Sequence, residues 1–273
     1  MLTGPCPLCT LPKPLIQSHL ASAALYKLCR APDSDPIFVT NEVVMRSGRQ
    51  LQDYLLCSEC DGMLSAKGEA WLLPLVGRMD GFPLYDILIK RGPYERDGEL
   101  ALYAAADNPE IDVPKLIHFA MGMFWKASVH SWSGSRVEPL IDLGKYGEEV
   151  RKFLRGEDKF PEQMSLTVGV SPPPIMPTIA MPYRGNATEY HNFLFHVPGI
   201  NFALNVGNKV EAAMREACFA SNPRHPILLK NLADENLKVS RGVAAGARKA
   251  TGVLRYVKES KHLAEYLEKR GKK

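Results

Sequence analysis

Apolar side chains recur at helical spacing in one long segment. Leu116, Phe119, Ala120, Met123, Phe124 and Ala127 return every three or four positions, and Pro114 stands in the first turn, so a helix is predicted over residues 113–132. Residues 147–155 read as a second helix. From 164 to 205 the character changes to short apolar runs, SLTVGV, IMPTIAM, YHNFLFHV and INFALNV, separated by Pro and Gly, which predicts antiparallel strands. Residues 210–220 and most of 234–269 favour helix again. Nearer the start, residues 37–45 and 51–56 read as two strands around Ser47-Gly48, a β-hairpin, and 18–30 favours helix in its later part. Pro74, Gly77, Gly81 and Pro83 break the pattern. The expectation is an α+β chain with an N-terminal unit over 1–76 and a larger mixed unit, antiparallel sheet plus helices, over 77–273.

Composition changes this picture little. The 273 residues are 45% hydrophobic and 23% charged, as globular proteins are. No apolar run approaches the roughly 20 residues a bilayer demands, so no membrane partner is expected. The segment MLTGPCPLCT has neither a basic flank nor an apolar stretch, which argues against a secretory signal and for the cytoplasm. Charge is uneven. Residues 230–273 hold twelve Lys/Arg against five Asp/Glu, a net 12 − 5 = +7, so the rest of the chain carries 4 − 7 = −3. A basic C-terminal segment of this kind suits a phosphate-bearing partner, nucleic acid above all. A solvated basic helical face is the other reading.

The six cysteines carry the chemistry. Cys6 and Cys9 form one CxxC, Cys57 and Cys60 another, with 47 residues between them. Each CxxC offers two thiolates from a single turn, and two such pairs supply the four soft ligands of a tetrahedral zinc site. In a reducing compartment the alternative is a redox pair, but neither CxxC follows a strand in a βαβ setting. Cys29 and Cys218 stand alone and read as small buried apolar residues. CPLC reads as a tight knuckle, and CSECDGMLSAKGEAW as the start of a helix after a strand.

Knuckle, histidine, hairpin and a second CxxC entering a helix form an order with a known counterpart. The text LIQSHL…YLLCSECDGMLSAKGEAW resembles the HNH endonuclease superfamily, and more narrowly bacterial HNH-like proteins with a Ser/Ala-His pair and an LCxxC-Asp/Glu helix. The resemblance covers residues 1–72. It implies a treble-clef finger with structural Zn²⁺ and metal-dependent hydrolysis of DNA phosphodiester bonds, with Mg²⁺ or Mn²⁺ as the catalytic ion. His19, ten residues after Cys9, falls on the family's general base. Asp61, directly after Cys60, falls where the family more often has a metal-binding histidine, and Gln52 where it commonly has an asparagine that orients the base. Ser18 replaces the acid that many active members carry before the histidine, and Ser22 replaces a usual proline. Asp53 or Glu69 then becomes the candidate for the missing carboxylate.

The alternative function is a catalytically inactive zinc finger that binds nucleic acid or a protein partner. The remaining histidines are expected to be structural: His118 and His130 on the long helix, His191 and His196 on opposite faces of a strand. Trp71, Phe124, Trp125 and Trp132 are expected in the core. No phosphate-binding glycine loop or serine-nucleophile elbow is present.

Overall fold

The first CxxC closes a turn between two short strands, β1 (Thr3–Pro5) and β2 (Pro12–His19). The Cys6 N–H donates to Leu11 O and the Thr10 N–H to Cys6 O, and Thr10 takes a left-handed φ of 62° to complete the reversal. The computed structural model describes residues 2–30, 35–39, 44–46, 48, 50–132, 138–232, 235–238, 241, 242, 245, 268 and 269. After β2 come α1 (Ala23–Leu28), β3 (Ile37–Val39), β4 (Val44–Arg46) and β5 (Gln52–Cys57). α1 is capped by Ser22, whose side chain accepts from Ala24 N–H.

The expected hairpin divides differently. β3 pairs with β4 as a separate two-stranded sheet, whereas β5 pairs antiparallel with β2, giving a three-stranded order β1–β2–β5. Register explains the choice. Leu15 lies opposite Cys57 and His19 opposite Gln52, so the end of β5 is delivered beside the knuckle. Pairing with 37–46 would leave the two CxxC pairs apart. Prolines 12 and 14 conceal β2 as a strand, since neither can donate to a ladder.

Cys57 is the N-terminal cap residue of α2 (Ser58–Leu64), which runs on through a π turn at Ser65–Glu69 into α3 (Ala70–Leu72). Beyond the prolines and glycines at 74–83 follow α4 (Pro83–Ile89), β6 (Glu95–Asp97), β7 (Leu100–Ala104) and α5 (Val113–Val129). α5 begins where the pattern places it, with Asp112 accepting from Lys115 N–H at 3.1 Å. It ends earlier than 132: His130 is extended at φ −147°, and this turns Trp132 back so that its indole N–H donates to Lys126 O at 3.0 Å.

α6 (Gly147–Arg155) matches its expected span and stops at Gly156, left-handed at φ 73°. The β-rich region forms β8 (Met164–Val170), β9 (Ala180–Arg184), β10 (His191–Val197) and β11 (Ile200–Val206). A five-residue α7 (Ala212–Glu216) and β12 (Pro226–Leu229) follow. The larger sheet has seven strands in the order β6–β7–β12–β8–β11–β10–β9, antiparallel except where β12 runs parallel to β8. The molecule is therefore α+β. The helix expected over 234–269 falls largely outside the described residues, as do most basic residues of 230–273.

α5 lies against one face of the larger sheet. Phe124 meets Phe195 edge-on at 4.9 Å between ring centroids, and Phe119 meets Phe202 at 5.7 Å. The same helix packs on the π turn that continues α2: a Cβ added at Gly68 would stand 2.8 Å from the backbone of Phe119. One buried apolar cluster runs from Cys6 and Leu8 through Leu64, Phe119 and Phe124 to Phe202 and Ile227, across the expected boundary at 76/77.

Candidate metal centre and the His19 strand end

Two turns and one strand end bring the four cysteines together. The sulfurs of Cys6, Cys9, Cys57 and Cys60 all lie within 4.8 Å of one another, with Cys9 Sγ 4.0 Å from Cys57 Sγ. None of them is in a disulfide. A tetrahedral ion with metal–sulfur bonds of about 2.3 Å separates its sulfurs by about 3.8 Å, so the set fits a thiophilic ion such as zinc. Cys6, Cys57 and Cys60 are buried and Cys9 is half-buried.

Their protonation also asks for a cation. Burial pushes the Cys6 thiol up, but backbone N–H groups of Cys9, Cys57 and Leu8 aim at the sulfur and outweigh it, leaving about 7. The Cys57 N–H donates to Cys6 Sγ at 3.4 Å. Cys60 is pushed far up by burial, then by its hydrogen bond with Cys57 and the charge of Cys6. Four thiolates in one small space repel one another unless a divalent ion stands between them.

Basic side chains brace this corner. Arg151 of α6, with 14% of its side chain exposed, donates from Nη1 to Leu8 O inside the knuckle at 2.9 Å. Its other nitrogens hold Glu148 and Glu157. Lys13 pairs with Glu59 on α2.

The other end of the β2–β5 ladder carries His19, half-buried and opposite exposed Gln52. Side chains alternate along a strand, so Asp53, adjacent to Gln52, belongs to the opposite face together with buried Ser18. There Asp53 Oδ2 accepts from His130 Nε2 at 3.1 Å, and Ser18 Oγ accepts from Leu56 N–H. Glu69, the other candidate carboxylate, binds Lys126 Nζ at 2.9 Å. Asp61 stands half-buried on α2. Among the described residues the four cysteines are the one set of three or more His, Cys, Asp or Glu ligand atoms within 4.8 Å of each other. The ladder thus sets His19 opposite Gln52, and among the described residues neither His19 nor Asp61 belongs to a set of three such ligand atoms.

Two residues at this end were not singled out as functional by their sequence. Lys126 of α5 is 4% exposed and donates to His19 O at 3.0 Å as well as to Glu69. His130 packs edge-on against Trp132 at 5.2 Å and holds Asp53. A lysine inside an apolar helix face is the signal that the sequence carries for the first; the second has none. His118 is buried and donates through Nε2 to Leu154 O, and His196 is buried against Thr178 Oγ1, while His191 is exposed. No helix among the described residues is long and apolar enough to cross a membrane. Compared with protein-family models, curated proteins and solved structures, the chain matches none.

Proposed function

We propose that the chain is a zinc-organised, HNH-type endonuclease that hydrolyses DNA phosphodiester bonds. The observation that carries this reading is one ladder with two chemical ends. At one end Leu15–Cys57 closes the cysteine cluster, and four positions along β2, His19 stands opposite Gln52. Knuckle, β2–β5 ladder and a helix bearing Cys60 in its first turn follow the order of a treble clef, with zinc as the structural ion.

His19 is the general base and takes the proton of the attacking water. Gln52, its cross-strand neighbour, offers an amide on the same face to fix the imidazole. Asp61 contributes a hard oxygen, and Mg²⁺ or Mn²⁺ held there with water and phosphate oxygens would supply charge stabilisation. The basic residues of 230–273 are assigned to the DNA backbone. The test is plasmid cleavage with added Mg²⁺ or Mn²⁺. Wild type should nick the plasmid, and His19→Ala should not, with unchanged zinc content.

A second reading, a zinc finger that binds nucleic acid or a protein without hydrolysis, is favoured by one observation. Of the three carboxylates considered for the catalytic ion, Asp53 is engaged by His130 and Glu69 by Lys126. Salt-sensitive DNA binding by a wild type that never cleaves would select this reading.

A further inference from the structure

Lys126 is nearly as buried as the apolar residues around it, yet it carries a charge. Ending an ammonium in a protein interior is strongly unfavourable unless it is paired and fully hydrogen-bonded. A leucine or methionine at this position would pack on α2 without that cost. What the ammonium does is specific: one N–H goes to Glu69 Oε1 at 2.9 Å and another to the backbone carbonyl of His19 at 3.0 Å.

Three features bring these groups together. α2 widens into a π turn at Ser65–Glu69, which re-aims Glu69 relative to a regular helix. Gly68, in the same turn, admits the backbone of Phe119. Lys126 lies seven residues, two turns, beyond Phe119 and so on the same stripe of α5. The close crossing at Gly68 is therefore what allows Lys126 to reach both the end of α2 and the end of β2. Downstream, the Trp132 indole N–H ties off the carbonyl of Lys126 itself.

We infer that Lys126 and Glu69 are a positioning pair: held against α2 by Glu69, the Lys126 ammonium grips the main chain at His19 and sets the aim of its imidazole. The inference rests on the reading of His19 as the general base, and it extends the site to α5. Neither residue touches the DNA or the attacking water. Both act through the placement of His19.

The experiment compares wild type with Lys126→Met/Glu69→Gln, in which the buried charges are removed together so that neither is left unpaired. Thermal unfolding and zinc content establish that the variant folds. The NMR signals of the His19 ring in histidine-labelled, full-length protein, and steady-state cleavage of plasmid DNA with Mg²⁺ or Mn²⁺, are then read. The expected result is a folded, zinc-loaded protein with displaced His19 ring resonances and kcat down by about tenfold or more at nearly constant KM. His19 resonances and kcat equal to wild type would overturn the proposal. If wild type itself cleaves nothing, the nuclease reading falls and the His19 resonances alone judge the positioning. Should the double variant not fold, Glu69→Gln alone must move the same resonances by a smaller amount, and their constancy would refute the pair.

Discussion

Asp53 accepts a hydrogen bond from the ring of His130 at 3.1 Å, and this ties β5 to the segment that follows α5. Burial pushes the Asp53 carboxyl up, but the hydrogen bond from His130 and the Tyr54 N–H outweigh it, so the group sits below the usual carboxylate range. A carboxylate with a depressed folded value stabilises above its unfolded value and loses that contribution as the pH falls through the folded one. The gap between wild type and Asp53→Asn should therefore narrow below about pH 4. Since 39% of the Asp53 side chain is exposed, the gap at neutral pH should stay under about 1 kcal/mol. Metal content and cleavage should be unchanged. Altered Mn²⁺ dependence in Asp53→Asn would show instead that this carboxylate serves the catalytic ion.

Gly68→Ala should be costly. The new Cβ would meet the Cα and N of Phe119 at 2.8 Å, and backbone of a packed helix cannot swing aside. Overpacking of this kind costs about 1–3 kcal/mol, which urea unfolding will register as a lower midpoint at unchanged slope. An unmoved midpoint would mean that α2 and α5 separate freely at this crossing.

His196 should make the folded state sensitive to mild acid. Burial pushes its imidazole down to about 4, against 6.5 for an exposed ring. Between those values the unfolded chain binds a proton that the folded one refuses, so stability falls as the pH drops from 6.5 towards 4, by on the order of 3 kcal/mol. His196→Gln, which retains an amide N–H near Thr178, should flatten this limb. Denaturation at pH 7 and pH 5 measures it, and equal losses in the two proteins would assign the acid sensitivity elsewhere.

The metal should hold the knuckle and α6 together. Zinc analysis should find one ion per chain, and Cys57→Ser should lose both the ion and the fold of the first strands. Arg151→Met removes the donor to Leu8 O and should release zinc to a chelator several-fold faster, as loss of an outer partner does elsewhere. Lys209→Met, at an exposed pair with Glu189, provides the control and should release it at the wild-type rate.

α5, α6 and the cysteine set were legible because their signals are local. A period of 3.6 and Pro114 announce α5, and each CxxC presents its two thiolates whatever lies between the pairs. What escaped depends on partners far along the chain. β2 hides behind two prolines and shows itself only through β5. β12 is four residues long and takes its place from the strands on either side. Lys126 and Glu69 are 57 positions apart, His130 and Asp53 77, and no periodicity records such distances. Trp132 was expected in the core and is fully buried, although the helix expected to carry it ends at Val129.

β12 has a consequence for how the protein is made. It is wedged between β7 and β8, so until residues 226–229 leave the ribosome the larger sheet is two fragments, each with a bare edge. Strand pairing across such spans is slow to form and open to mispairing with other chains while it waits. Translation halted short of Pro226 should yield insoluble product even though every cysteine and every residue of α5 is present, whereas chains reaching past Leu229 close both edges at once.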